Sequence, residues 1–187
     1  EQKGTIDNLK NLEQEMLHYL GFNTAQELLY EHICSTYETH ILNNAHKEKM
    51  YEQFGETILL EHTPERTMPF WNVNLTQEGF FETTELILHG NTSVHAATRS
   101  CNKEQMEEQF FAMSEGNYAK TLFETFKKEL ILQELDEYLL LPFVPRFGGS
   151  INIEDIAHAM RKSRLLENCN EVSFYGALKT TVDQATS

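Results

Sequence analysis

Two pairs of side chains have the spacing for metal chemistry. Glu15 and His18, and Asp155 and His158, stand three residues apart, so on a helix each pair projects from one face. Facing one another in a helical bundle, with two further carboxylates, such pairs can hold two iron ions. Glu38, Glu61, His40 and His62 are available as partners, but nothing in their spacing singles them out. An acidic helical chain produces this spacing often, and solvent-facing polar pairs are the ordinary expectation. Cys34 has His32 and His40 as sequence neighbours, which suggests a thiol–imidazole nucleophile. Residues two apart on a helix do not face each other, so that pairing is discounted. Trp71, the only tryptophan, belongs with Phe70, Phe80 and Phe81 to an aromatic group suited to a core or to a peptide-binding groove, the core being favoured. No P-loop, dinucleotide fingerprint or Ser–His–Asp signature is present. The chain is therefore expected not to be an enzyme.

The elements that would position these groups read as helices. Leu9, Leu12, Met16 and Leu20 recur at spacings of three and four, as do Leu122, Phe126 and Leu130. Ile153, Ile156, Ala157 and Met160 form a third stripe after Gly148 and Gly149. Strand alternation is scarce. Proline is confined to positions 64, 69, 142 and 145, which places the expected breaks near 64–70 and 142–149. A glycine followed two residues later by an apolar residue occurs at Gly4, Gly79, Gly116 and Gly149, at separations of 75, 37 and 33 residues. Each unit reads as helix, glycine turn, short extended residue, helix, because glycine takes a positive φ without steric cost.

This pattern resembles the EF-hand superfamily, whose loop signature is D-x-[DN]-x-[DN]-G-x5-E. The segment Asn74-Leu75-Thr76-Gln77-Glu78-Gly79-Phe80-Phe81-Glu82-Thr83-Thr84-Glu85 fits it closely. The resemblance implies side-chain oxygens from Asn74, Thr76 and Glu78, the backbone carbonyl of Phe80, Glu82 directly or through water, and bidentate Glu85. It therefore implies calcium as cofactor, at one weak site. The sequence departs from the family in carrying Asn74 in place of Asp and Pro69 where the entering helix belongs. In the last copy Val144, Arg146 and Gly148 occupy ligand positions and Asp155 stands where Glu belongs, so that loop cannot hold calcium. The implied fold is mainly α, with paired helix–loop–helix units in one or two lobes. Residues 1–90 would form the N-terminal lobe, 91–103 a linker, and 104–187 a degenerate C-terminal lobe.

Composition bounds the partners. Among 187 residues, 29 acidic side chains outnumber 15 basic ones, for a net charge of -14. Phosphate backbones and anionic membranes select for Lys and Arg, so the expectation is no nucleic acid and a protein partner with a helical or basic segment. No apolar run approaches the roughly 20 residues of a membrane span. Cys34, Cys101 and Cys169 are odd in number and far apart, as suits reduced thiols in an intracellular protein, cytoplasmic or within an organelle or cytoskeletal assembly. The chain starts at Glu1 without a signal-peptide pattern and reads as a processed or trimmed segment. The function implied by the resemblance is an EF-hand-like regulatory or scaffolding protein whose calcium binding is weak or lost. The alternatives are a structural helical subunit of a larger assembly and a helical carboxylate–histidine metalloenzyme.

Overall fold

The computed structural model describes residues 5–67 and 70–166. Gly4, Pro69 and Cys169 lie outside the described residues.

The buried stripe of the first helix, α1 (Thr5–Leu20), runs through Leu9, Glu13 and Leu17 at successive spacings of four. It is turned away from the expected Leu9–Leu12–Met16–Leu20 face, since Leu12 is 49% exposed. A short strand, β1 (Gln26–Leu29), follows and leads directly into α2 (Tyr30–Thr36). The next helix, α3 (Asn44–Phe54), starts at a capping box in which the Asn43 side chain accepts from the His46 amide and the His46 ring accepts from the Asn43 amide.

Three long strands come next: β2 (Thr57–Pro64), β3 (Phe80–Leu88) and β4 (Asn91–Arg99). β3 and β4 form a hairpin whose two turn residues, His89 and Gly90, have φ of 46° and 83°. Positive φ at both positions gives the turn whose twist matches the flanking strands. Three helices follow, α4 (Lys103–Ala112), α5 (Asn117–Thr125) and α6 (Lys128–Leu140). The chain then returns to the sheet as β5 (Arg146–Ile151) and continues into α7 (Ile153–Lys162), capped by Asn152.

The five strands lie side by side in chain order. β1 pairs parallel with β2, and every later pair is antiparallel. α1 and α7 cover one face, burying Leu9, Leu17, Ile156 and Met160 against Leu59, Leu86, Leu88 and Ala96. α2 and α3 cover part of the other, where Ile33 and Met50 pack on Ile58, Leu60 and Ile87. α4, α5 and α6 form a separate helical layer around Phe110, Ala119 and Leu135.

This architecture overturns the mainly α expectation and the EF-hand resemblance. The strands escape a search for alternation because both faces of the sheet are covered. Buried strands read as near-continuous apolar or small-residue runs such as Thr57-Ile58-Leu59-Leu60, with no polar face to betray a period of two. Phe81 and Ile151, expected beside loops, lie in β3 and β5, and Gly149 lies inside β5. Residues 91–99 of the expected linker form β4, between β3 and β5. Among the described residues no helix is long and apolar enough to cross a membrane.

Candidate functional site

Antiparallel register aligns polar side chains in rows across β3, β4 and β5. Glu85 stands opposite His95, and His95 opposite Ser150. Two residues along come Thr83, Ala97 and Gly148, then Arg99 opposite Arg146. These positions alternate with Leu86 and Ala96 of the α1-facing core, so they share the opposite face. Glu85 and Arg99 thus mark two ends of one surface, with Ala97 and Gly148 as a low floor between. Along β4 the four steps from His95 to Arg99 span about 13 Å.

At the first end, Lys47 of α3 donates to Glu85 Oε2 at 2.6 Å and to Thr92 Oγ1 at 2.7 Å, while the Thr92 hydroxyl donates to Glu85 at 3.1 Å. At the other, Arg99 donates from Nη1 to Asn72 Oδ1 (2.9 Å) and from Nη2 to the Gly148 carbonyl (3.2 Å). Arg146 donates to the Tyr138 hydroxyl at 3.1 Å and lies 5.0 Å from the Phe143 ring centroid. Lys103 approaches the same ring to 5.8 Å. Arg99, Arg146 and Lys103 form no ion pair with the described residues. In a chain of net charge -14 this is a local concentration of unopposed positive charge. Two guanidinium groups in register offer the fork of donors that recognises a carboxylate or a phosphate.

The segment expected to wrap calcium is a hairpin. Leu75 pairs with Phe81, the Gly79 amide donates to the Thr76 carbonyl, and the Thr76 amide to the Phe80 carbonyl, so residues 76–79 form a tight turn. Gly79 sits in that turn with φ of 83°. Asn74 Nδ2 donates to Glu82 Oε2 at 2.8 Å, and the Thr98 hydroxyl donates to the same oxygen. Glu85, three residues further along a strand, points to the other face and pairs with Lys47. Glu78 is exposed, and the Thr76 hydroxyl is buried without a hydrogen-bond partner. Of Asn74, Thr76, Glu78, Phe80, Glu82 and Glu85, only Asn74 and Glu82 meet through their side chains. Glu15, His18 and His158 are exposed, and the described residues hold no group of three His, Cys, Asp or Glu side chains suited to a metal. Cys34 is buried, which pushes its thiol pKa up and away from nucleophilic use.

Two polar clusters correspond to no motif of the sequence. On the α1 face, Thr84 donates to Glu13 Oε1 at 2.9 Å, and burial pushes the Glu13 carboxyl up to about 7. Lys10, one turn earlier, bridges Glu27 at 2.6 Å and Glu61 at 3.1 Å. The signal was there: Glu13 stands four residues from both Leu9 and Leu17. At the end of α7, Ser163 donates to Glu56 at 2.9 Å and lies 2.6 Å from His89 Nε2, while His89 Nδ1 is buried without a partner. The serine proton is directed at Glu56, whose Oε2 also lies 3.4 Å from His89 Nε2, and no described acid stands on Nδ1, so the three groups do not line up as a nucleophile–base–acid relay.

At the level of fold, the chain is a mixed five-stranded sheet with helices on both faces and a cationic end on one of them. Solved structures with this fold include the asparaginyl-tRNA synthetase of Entamoeba histolytica in complex with asparaginyl-adenylate, at a TM-score of 0.54 and 12% identity over 83% of this chain and 37% of that one. The asparaginyl-tRNA synthetase of Pyrococcus horikoshii, complexed with asparaginyl-adenylate, matches with a TM-score of 0.54 and 12% identity, covering 82% of this chain and 37% of its own. The aspartyl-tRNA synthetase of Entamoeba histolytica gives 0.53 and 12%, over 73% and 28% respectively. This chain thus spans about a third of the length of these synthetases. No protein-family model and no curated protein sequence matches it.

These neighbours replace the EF-hand reading, its regulatory or scaffolding role and both alternatives to it. They also remove the exclusion of nucleic acid. Net charge excludes a partner only when charge is spread evenly, and here three cations gather at one end of the sheet.

Proposed function

We propose that this chain is a synthetase-related domain that binds a small anionic ligand of the aminoacyl-adenylate class on the sheet face between Glu85 and Arg99. The observation that carries the proposal is the in-register pair Arg99 and Arg146, with Lys103 nearby, none of them neutralised by a carboxylate of the described residues. Two of the structures that share the fold hold asparaginyl-adenylate. Such a ligand carries an ammonium group and a phosphate. His95 stands at one end of the face beside the paired Glu85 and Lys47, and the arginines offer donors at the other. The same cations are the place for a phosphate of tRNA, and tRNA is the macromolecular partner to test. The proposed role is binding without turnover. Among the described residues Cys34 and Cys101 form no disulfide, which accords with the intracellular setting we propose.

The test is calorimetric titration with a sulfamoyl analogue of asparaginyl- or aspartyl-adenylate, which keeps the anionic linkage but resists hydrolysis. Wild type should show saturable binding, and Arg99→Ala should weaken it by about ten-fold or more, the loss of a charge-assisted hydrogen bond. No saturable heat at millimolar analogue, or equal affinity in Arg99→Ala and Arg146→Ala, would refute the site. ATP–pyrophosphate exchange above background would refute the absence of turnover.

A further inference from the structure

β5 ends the sheet. Among the described residues β4 pairs with one side of it and no strand with the other. The Asn152 amide donates to the Ser93 carbonyl at 2.8 Å, which fixes the phase of the β4–β5 ladder. Bonded and non-bonded positions alternate along an antiparallel pair, so Gly148 and Ser150 turn their amides and carbonyls toward β4. Phe147, Gly149 and Ile151 turn theirs outward. A Cβ at position 149 would stand 2.6 Å from the Ala96 Cα, the close approach of a narrow, non-bonded pair.

The same three residues share the face toward α1. Phe147 is 41% exposed there and Ile151 59%, with Gly149 between them. Beside them a cavity of about 250 Å³ remains, walled by Leu12 and Met16 of α1 and by Val94 and Ile151 of the sheet. From Phe147 to Ile151 the strand carries no charged side chain, no proline and no bulge, the devices that keep an outer edge solitary. An edge left so bare is a template for another strand.

The spacing of its side chains makes that edge complementary to itself. We infer that the outer edge of β5 is a self-association surface, on which β5 of a second copy of this chain pairs antiparallel about a two-fold axis at Gly149. In that register Phe147 faces Ile151 of the second copy, Ile151 faces Phe147 of the second copy, and the two Gly149 residues face each other. Each outward amide then meets an outward carbonyl, and two apolar cross-strand pairs form on the α1 side. A shift of two residues either way loses both pairs, and a shift of one sends Phe147 opposite a residue of the other face. Phe147 of the second copy stands over Ile151 and closes the cavity beside Leu12. The surface is short and each chain carries a net charge of -14, so the dimer is weak, with a Kd on the order of 10⁻⁵ to 10⁻⁴ M. Arg99 lies on β4 and takes no part in the pairing.

The test is sedimentation velocity on the full chain from about 5 μM to about 500 μM, in about 0.3 M NaCl to screen the repulsion. Hydrogen exchange is read by NMR at both ends of that range. The chain should pass from monomer to dimer, and the amides of Phe147, Gly149 and Ile151 should exchange about five-fold or more slowly in the concentrated sample. Ile151→Lys, at an exposed position, should weaken dimerisation about ten-fold or more. Phe126→Lys, comparably exposed between α5 and α6, should leave it unchanged. A monomer throughout, a dimer in which those three amides exchange as they do in the dilute sample, or dimerisation kept in Ile151→Lys and lost in Phe126→Lys would each overturn the inference.

Discussion

Glu13→Gln should remove one pH-dependent contribution to stability and leave those of Glu31, Glu61, His62 and His89 in place. Burial among apolar residues raises the folded-state pKa of Glu13 from an ordinary 4.5 to about 7, with repulsion from Glu61 acting in the same direction. A carboxyl that holds its proton more tightly when folded stabilises the fold at acid pH and withdraws that support as pH rises. Below about 4.5 both states are protonated and the contribution is complete. Between 4.5 and 7 the unfolded chain ionises while the folded one stays neutral, so stability falls by about 1.4 kcal/mol per pH unit. Above 7 both states are ionised and the loss, about 3 kcal/mol in all, stays constant. The charge that acts on Glu13 is that of Glu61, and it is present in both proteins. The difference between variant and wild type therefore isolates Glu13. Gln keeps the volume and an oxygen to accept from Thr84. Urea unfolding followed by the emission of Trp71, the only tryptophan, measures both proteins from about pH 4 to pH 8. The variant should gain about 3 kcal/mol on wild type across that range. A difference that stays constant within about 1 kcal/mol would show that Glu13 ionises normally, and the burial argument would fail.

Other perturbations test the remaining joints of the structure. Lys47→Met leaves the largely buried Glu85 carboxylate with only Thr92 as donor, and should cost about 3 kcal/mol in urea unfolding; adding Glu85→Gln should recover part of it. Gly149→Ala places a methyl group 2.2 Å from a backbone oxygen of β4, so β5 must shift; a loss of about 3 kcal/mol and faster amide exchange in β5 are expected, and unchanged exchange would contradict the register. Calcium titration should give the same heat for wild type and Glu85→Gln, since Glu82 and Glu85 point to opposite faces of β3; heat lost in the variant would mean that the hairpin rearranges around the ion.

What was legible in the sequence is what local periodicity encodes. α1 and α7 are legible as helices from spacings of three and four, although the buried face of α1 runs through Leu9, Glu13 and Leu17 instead of the expected stripe. The repeated glycine pattern misled because one local sequence served three different backbones. Gly79 turns a hairpin, Gly116 caps α5 with φ of 82°, and Gly149 lies inside a strand where the neighbouring chain leaves no room for a Cβ. A glycine-x-apolar triplet states that a side chain is missing, without saying whether conformation or crowding requires it. The functional face was hidden for a related reason. Lys47 and Glu85 are 38 residues apart, and Arg99 faces Arg146 only because β5 returns to the sheet after three intervening helices. Each of those side chains looks like an ordinary surface charge along the chain. Strand pairing alone gives Arg99 a cationic neighbour and, among the described residues, no acid. Charge without a counter-charge, rather than a motif, marks where a ligand belongs.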